Sequence, residues 1–432
     1  MIVRHFALLA QQLQPLELRA LRSPSALTHG LFRFPGRFHP PLVTYLLQLH
    51  PNAKVVGDPM VGCGTVAVEA TASGRSGLFS DVDPLACLLT RAKTNPVNPQ
   101  WLAGTVEAII RASQPVARLG VSRSVAKQEI DDLESSTDFR APPNVFHWFA
   151  PYVVVNLCRA LQGIAALQSS PRRKEVLLAI FASIVRRVSR ADPHTASGLE
   201  VTKIRKEELA RGLRFDVSGE LRKRTEIAAS GYNELRRVAN RPRVVVVEGD
   251  ARQWSGICLK HHLVPDLVIT SPCYMSAIEY WRRHKLEYCW LGLVDPKDLP
   301  RVRYSFLGMG EEEPDTNTLS PYLARLYKGF LRSGFQKEAT NLARYFNDSC
   351  SWLREVSKVL RKSEGIAYVV VGPNRTRGTT INTPRAIQEI GGQVGLRSRV
   401  LLRYALANYH MQYPTKDNIR IREETVLKFT PN

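Results

Sequence analysis

One stretch decides the fold: Ala53-Lys54-Val55-Val56-Gly57-Asp58-Pro59-Met60-Val61-Gly62-Cys63-Gly64-Thr65. It predicts a short strand over residues 53–56 and a glycine-rich turn, and residues 66–73 continue as a helix. Gly62 and Gly64 allow tight backbone bends and the close approach of a ligand, to which the helix N-terminus offers free N–H groups. Together these elements form the first half of a nucleotide-type β-α-β unit.

Residues 77–84 read Gly-Leu-Phe-Ser-Asp-Val-Asp-Pro and predict the second strand of this unit, with Asp81 at its end. An acidic residue in that place can bind both hydroxyls of a ribose. The full Walker pattern is missing, which disfavours hydrolysis of a nucleoside triphosphate.

A second informative stretch is residues 268–280, Val-Ile-Thr-Ser-Pro-Cys-Tyr-Met-Ser-Ala-Ile-Glu-Tyr. An apolar run ends there in a rigid polar corner, which in an open α/β sheet faces the ligand crevice. Ser271 and the neighbouring backbone can accept hydrogen bonds from an amino group, and Tyr274 can stack on a ring. These are the needs of an enzyme that methylates the exocyclic amine of a flipped base. The alternative is a plain Ser-Pro turn at a strand end, with a packed tyrosine.

Length and composition point to a basic protein with a sizeable core, built either as one large domain with an insertion or as two domains. The chain has 432 residues, a formal charge of +21 and a pI near 9.9, so nucleic acid is the leading partner. No apolar run approaches the roughly 20 residues needed to cross a bilayer, and no lipidation motif supports a membrane. The N-terminus predicts an amphipathic first helix in a cytoplasmic protein. Seven cysteines without a Cys-x-x-Cys pair indicate neither a disulfide framework nor a zinc cluster, and no metal is expected.

The chain changes character between residues 95 and 241. Residues 101–118, 153–167 and 175–188 show helical periodicity, and we expect the acidic patch at 129–138 to separate two of these helices. This predicts a cofactor-binding half over residues 1–94, a mainly helical insertion over 95–241 and a catalytic half over 242–432.

Two basic segments are candidate DNA contacts, and the residues singled out are Arg187, Ser189, Arg190, Arg282, Arg283 and Lys285. A solvated basic helix face is the more ordinary meaning of such runs. Near the second segment, Trp281, Tyr288 and Trp290 either stack on DNA or belong to the core. The loop around residues 296–318 is predicted to be mobile, and the region 296–340 is a second candidate for DNA recognition after the insertion.

These pieces together resemble the S-adenosylmethionine-dependent DNA amino-methyltransferases, especially those with a Ser-Pro-Pro-Tyr motif that methylate cytosine at N4. The matching segments are Phe34-Pro35-Gly36-Arg37-Phe38, Asp58-Pro59-Met60-Val61-Gly62-Cys63-Gly64-Thr65, Asp81-Val82-Asp83-Pro84-Leu85-Ala86, Gly249-Asp250-Ala251-Arg252 and Thr270-Ser271-Pro272-Cys273-Tyr274. The resemblance implies an α/β fold with a Rossmann-like class I methyltransferase sheet.

The resemblance also implies roles for individual residues. Asp58 would engage the methionine amine of S-adenosylmethionine, Asp81 its ribose and Asp250 its adenine. Ser271 and Pro272 would fix the target amine, and Tyr274 would stack on the base. The residues expected to bind the cofactor are Phe34, Pro35, Asp58, Pro59, Gly62, Gly64, Thr65, Asp81 and Asp250. Double-stranded DNA is the expected substrate, with a cognate restriction enzyme or defence protein as a candidate partner.

Cys273 departs from the family motif, in which a second proline stands at this position. Proline followed by cysteine is also the arrangement of cytosine-C5 methyltransferases, in which a thiolate attacks the base. Cytosine-N4 methylation is the preferred prediction, with Cys273 as a tolerated small residue. Cytosine-C5 methylation, with Glu279 or Asn374 as a partner, and adenine-N6 methylation stay open. A non-catalytic DNA-binding module and an RNA or protein methyltransferase are the remaining alternatives.

Overall fold

The computed structural model describes residues 26–34, 36, 38–117, 120–193, 199–237, 242–275, 280–361, 364–405 and 423–432. The strands are β1 (Val55–Asp58), β2 (Ser76–Asp81), β3 (Val244–Glu248), β4 (Leu267–Thr270), β5 (Ile366–Val371), β6 (Asn374–Thr376), β7 (Thr379–Ile381), β8 (Leu396–Ala405) and β9 (Glu423–Pro431). The helices before β3 are α1 (Pro40–Gln48), α2 (Thr65–Ala72), α3 (Pro84–Thr94), α4 (Pro99–Ala112), α5 (Arg123–Ser136), α6 (Val145–Trp148), α7 (Pro151–Ala166), α8 (Pro171–Val185), α9 (Lys203–Ala210) and α10 (Val217–Leu235). Those after β3 are α11 (Trp254–Lys260), α12 (Tyr280–Arg283), α13 (Lys285–Trp290), α14 (Leu299–Val302), α15 (Pro321–Arg332), α16 (Gln336–Val359) and α17 (Thr383–Gln393).

The main sheet has seven strands in the order β3-β2-β1-β4-β5-β9-β8. Strands β1 to β5 run parallel, and β9 is antiparallel to both of its neighbours. The chain winds outward from β1 in one direction through β2 and β3, and from β4 in the other, so the switch point lies between β1 and β4. The mostly parallel sheet, with helices on both of its faces, confirms the predicted Rossmann-like α/β fold.

The central position of β4 in the sheet explains why its sequence is a nearly continuous apolar run. Every residue of β4 is buried. Leu267 and Ile269 pack with α1 and α2 on one face, and Val268 packs with α11 and α16 on the other. Because side chains alternate along a strand and helices cover both faces, both sets must be apolar.

The described part of the insertion is helical, with seven helices from α4 to α10. The acidic patch at residues 129–138 does not separate helices, as expected from the sequence, but lies mostly within α5. Ser122 caps α5, and Ala126, Ile130 and Leu133 form a buried stripe along it. Asp131 and Asp132 lie on the exposed face, and the half-buried Glu129 pairs with Arg159 at 2.7 Å, so the helical period outweighed the local charge.

The helices α4 to α10 share a hydrophobic core with α3, with Leu31 and Phe32, and with α13. The indole of Trp290 on α13 packs against Phe139, Phe149 and Phe181, with ring centroids 4.8, 5.6 and 6.1 Å away. Tyr288 is buried in the same cluster. These two aromatic residues therefore belong to the core, the second of the two interpretations that the sequence left open.

Strand β8 and the β6–β7 hairpin were not predicted from the sequence. Strand β8 carries Arg397, Arg399 and Arg403 among its apolar residues and pairs along its whole length with β9. Nothing in the described residues forms a helix long and apolar enough to span a membrane.

Candidate active site

A cavity lies at the carboxyl ends of β1, β2, β3 and β4 and encloses about 830 Å³, including its open mouth. Its lining contains many of the residues that the sequence singled out: Phe34, Asp58, Pro59, Gly62, Thr65, Asp81, Asp250, Ser271 and Cys273. Because β3, β2, β1 and β4 are consecutive in the sheet, Asp250, Asp81, Asp58 and Ser271 follow one another across the sheet edge. Neighbouring strands are about 4.8 Å apart, so these groups span about 14 Å, which suits an elongated ligand.

The glycine loop, residues 59–64, is fixed by contacts with β2 and α3. Gly62 has φ +50° and donates its N–H to the Asp81 carboxylate at 2.8 Å. Gly64 has φ +81°, and a Cβ added there would lie 2.7 Å from Thr90 Oγ1. The fully buried Lys93 donates from Nζ to the Cys63 carbonyl at 2.7 Å. The loop therefore has a fixed shape that only glycine permits at residue 64.

Two carboxyl groups in this cavity are costly to ionise. Burial raises the pKa of Asp58 to about 8, with a smaller contribution from the negative charge of Asp81. Burial also raises the pKa of Asp81 to about 7, and the neighbouring Asp83 adds to the shift. Asp83 is itself engaged, because it caps α3 and lies 3.0 Å from His284 Nδ1. A cation bound between Asp58 and Asp81 would be strongly favoured, since it would stabilise both charges.

Asp250 lines the cavity but does not stand alone. Arg252 binds its carboxylate through Nε and Nη2, at 2.9 and 2.6 Å from Oδ2. The same guanidinium reaches Asp348 Oδ1 at 2.9 Å. The orientation of Asp250 is therefore fixed by a paired arginine.

The Ser-Pro-Cys corner presents an acceptor and a thiol. Ser271 Oγ donates to the Val370 carbonyl at 3.1 Å, so its oxygen lone pairs are what it offers to a ligand. The Cys273 carbonyl accepts a hydrogen bond from Tyr345 at 2.8 Å. Burial, with Asp81 adding to it, raises the pKa of the Cys273 thiol to about 12. The thiol is therefore protonated at neutral pH.

Tyr274 is not among the described residues that line the cavity. Its hydroxyl hydrogen-bonds to the Glu424 carboxylate, which also accepts a hydrogen bond from Tyr404. Pro272 is buried behind the corner. The tyrosine of the motif is thus tied to the β8–β9 edge of the sheet.

The chain is similar to Type II methyltransferases. Type II methyltransferase M.MvaI of Kocuria varians is 23% identical over 386 residues, which cover 84% of this chain and 81% of that protein. Type II methyltransferase M.MjaII of Methanocaldococcus jannaschii is 33% identical over 75 residues, which cover 17% of this chain and 14% of that protein. No protein-family model matches the chain. Among solved structures, the rRNA methyltransferase aviRa of Streptomyces viridochromogenes aligns over 94% of this chain and 91% of its own, with 11% identity and a TM-score of 0.32, a value too low to support any conclusion.

An aromatic wall of the cavity was missed by the sequence reasoning. Tyr280 stacks on Phe34 at a centroid distance of 5.7 Å, and Phe306 lies nearly parallel to Tyr280 at 6.4 Å. Ser305, Phe306 and Leu307 all line the cavity, although their segment was predicted as a mobile loop and a candidate for DNA recognition, not as a wall of the cofactor cavity. An aromatic residue inside a polar, glycine-containing loop was the available signal, because such a side chain needs a surface to pack on.

The candidate DNA contacts fall into two groups. Ser189 and Arg283 are buried, at 0% and 5% exposure, so this conformation does not present them to DNA. The Ser189 hydroxyl donates to the Arg186 carbonyl, and this hydrogen bond allows the hydroxyl to be buried. Arg187 and Arg282 are exposed, and Arg190 and Lys285 are partly exposed. Arg190 also lines two shallow grooves of the insertion.

Several of the sequence predictions fall outside the described residues. They are the amphipathic first helix at the N-terminus, Pro35 and Arg37 of the first matching segment, and Glu279, the candidate partner of Cys273.

Proposed function

We propose that this protein is an S-adenosylmethionine-dependent DNA methyltransferase that modifies a flipped cytosine at N4. The observation that carries the proposal is the convergence of Asp250, Asp81 and Asp58 with the Ser271–Cys273 corner along one cavity. The similarity to M.MvaI over most of both chains supports methyl transfer. The formal charge of +21 supports a polyanionic substrate.

The cavity fits the proposed cofactor by its chemistry. S-adenosylmethionine supplies a methyl group on a positively charged sulfur and carries an ammonium group and a ribose. Asp58 would hold the ammonium group, and Asp81 the ribose hydroxyls. Asp250, kept in place by Arg252, would face the adenine. The raised pKa of Asp58 is what a cation site without its cation should have, and the ribose hydroxyls would stabilise the ionised form of Asp81 by donating hydrogen bonds to it.

The corner would hold the methyl acceptor. The Ser271 hydroxyl donates its proton to the Val370 carbonyl, so its oxygen is free to accept a hydrogen bond from the ligand. It would accept one from an N–H of the exocyclic amine and thereby point the nitrogen at the methyl group. The amine of cytosine is a poor nucleophile, so most of the rate would come from holding it in line and excluding water. The methylated amine then loses its extra proton to solvent or to an acceptor in the corner.

The test is mass spectrometry of nucleosides after incubating the purified protein with unmethylated DNA and S-adenosylmethionine, with RNA as a parallel substrate. N4-methylcytosine is the expected product. N6-methyladenine would overturn the choice of base, and a product on RNA alone would overturn the substrate. A protein that binds DNA but not the cofactor in calorimetry would be a non-catalytic module.

Replacing Cys273 with serine is expected to keep methyl transfer within about threefold of wild type, because a positioning corner needs only a small residue there. A thiol with a pKa near 12 has little thiolate to attack a base. Single-turnover transfer of a labelled methyl group measures the effect. Cys273→Pro, which restores the family motif, is the companion variant. Abolished activity in Cys273→Ser, together with 5-methylcytosine from wild type, would make Cys273 the nucleophile.

Cofactor binding is expected to strengthen as pH rises from 5.5 to 7.5. Asp58 and Asp81 have raised pKa values in the free protein, so at the lower pH both are protonated. Asp58 must lose its proton to pair with the ammonium group, and Asp81 to accept hydrogen bonds from both ribose hydroxyls. The cofactor's own amine stays largely protonated in this window, since its pKa is about 8. Calorimetry in buffers of different ionisation enthalpy should register proton release on binding. Affinity that is flat or falls over this range would contradict the assignment, and Asp58→Asn should flatten the dependence.

A further inference from the structure

We infer that helix α16 sets the distance between cofactor and methyl acceptor, through Tyr345 and Asp348 as positioning residues. The inference rests on the proposed function and adds residues that lie outside the family motifs. Tyr345 and Asp348 are three residues apart, so they project from one face of α16 toward the site. Each fixes a different wall of the cavity.

Tyr345 fixes the acceptor corner. Its side chain is 2% exposed, and its hydroxyl donates to the Cys273 carbonyl at 2.8 Å. That carbonyl belongs to the peptide that joins Cys273 to Tyr274, immediately after the rigid Pro272. The hydrogen bond therefore holds the corner from the side that the proline ring does not restrain.

Asp348 fixes the cofactor wall. Its Oδ1 pairs with Arg252 Nη1 at 2.9 Å, and its Oδ2 accepts the N–H of Gly308 at 2.7 Å. Arg252 in turn grips Asp250 and reaches the Ser305 carbonyl at 3.3 Å. One carboxylate thus joins the end of β3 to the turn 305–308, which supplies Ser305, Phe306 and Leu307 to the cavity.

The two contacts are mechanically linked. Gly308 has φ +76° and lies against Tyr345, so close that a Cβ on Gly308 would be 3.0 Å from the Tyr345 Cβ. Behind them, Leu342, Phe346 and Leu353 anchor α16 in the core. A rigid helix that touches both walls keeps their spacing constant, and in-line transfer depends on that spacing.

The two residues should give different kinetic signatures. Tyr345→Phe keeps the ring and loses the hydrogen bond to the corner, so we expect the single-turnover rate constant to fall about tenfold with cofactor affinity within about twofold of wild type. Asp348→Asn keeps the size of the side chain but weakens its ion pair with Arg252 and its hydrogen bond to the turn, so we expect cofactor affinity to fall about tenfold. Arg252→Lys, which removes the fork that joins Asp250 to Asp348, should reproduce the Asp348→Asn effect.

The experiment uses the full chain and measures S-adenosylmethionine affinity by calorimetry, single-turnover transfer to DNA at saturating cofactor, and thermal unfolding. Ser351→Ala is the control, because Ser351 lies on the same helix and its hydroxyl bonds to the Asn347 carbonyl. The expected result is that Tyr345→Phe lowers the single-turnover rate constant, that Asp348→Asn and Arg252→Lys lower cofactor affinity, and that the Tm of all three stays near that of the control. The inference would be overturned if each variant lost rate and cofactor affinity equally. It would also be overturned if Tyr345→Phe, Asp348→Asn and Arg252→Lys all kept wild-type rate and affinity. Wild-type protein that neither binds cofactor nor transfers methyl would overturn the proposed function, and the inference with it.

Discussion

Replacing Asp58 with asparagine is expected to reduce methyl transfer by about 100-fold or more, chiefly by weakening cofactor binding. The amide has the size of the carboxyl and can still accept the Met60 N–H, which Asp58 binds at 3.0 Å. The variant loses the negative charge next to the proposed ammonium group and one acceptor oxygen, which also hydrogen-bonds with Thr270. The pKa of Asp58 is raised from 3.8 to about 8, so its ionisation opposes folding increasingly as pH rises from about 4 to about 8. Near pH 8 the variant should therefore be at least as stable as wild type.

Calorimetry and thermal unfolding at pH 8 separate these two effects. Asp131→Asn is the matched control, because it makes the same chemical change at an exposed position of α5. Wild-type cofactor affinity in Asp58→Asn would remove Asp58 from the site. A fall in Tm large enough to account for the lost activity would instead assign Asp58 a structural role.

Replacing Gly64 with alanine is expected to damage both stability and methyl transfer. Residue 64 has φ +81°, and its Cβ would lie 2.7 Å from Thr90 Oγ1 and 3.2 Å from the Thr90 Cα. The left-handed backbone alone costs about 1 kcal/mol for a residue other than glycine. Overlap with the backbone of α3 adds about 1–3 kcal/mol, because Thr90 cannot move aside. The loop would shift instead, and a shift of about 1 Å in a positioning loop can cost about 100-fold in rate.

Gly74→Ala isolates the backbone effect. Gly74 has φ +73° at the far end of α2, and nothing lies within 4 Å of the added Cβ. We expect this variant to lose about 1 kcal/mol in urea unfolding and no activity. If Gly64→Ala is no worse than Gly74→Ala in both measurements, the close contact with Thr90 does not constrain the loop.

The parts of the site that the sequence predicted are local in origin. An apolar run that ends in Asp58, in Asp81 or at Ser271 encodes both a buried strand and a polar end. Parallel strands then bring those ends to one edge of the sheet whatever the rest of the chain does. Gly62 and Gly64 carry the same kind of information, since a positive φ is a property of one residue.

The parts that were missed depend on distant partners. Glu424 meets Tyr274 across 150 residues of sequence, and Arg186 is within hydrogen-bonding reach of the Arg283 carbonyl across 97. The sequence of a basic segment is the same whether its side chains face solvent or the protein interior. Arg283, and Ser189 between two arginines, were therefore predicted to lie on the surface. Strand β8 depends likewise on its pairing with β9, since its arginines hide the alternation that marks a strand.

If residues 95–241 recognise the DNA target, as proposed from the sequence, the packing of Trp290 limits how a new target sequence can be acquired. The indole comes from α13, but the three phenylalanines around it come from residues 95–241. A graft that replaced the insertion alone would strip this side chain of its packing, at a cost of about 3–5 kcal/mol if its contacts were lost. We therefore expect DNA specificity to change through single substitutions on the outer faces of these helices. Replacement of the whole insertion should give a stable protein only when α13 is replaced together with it.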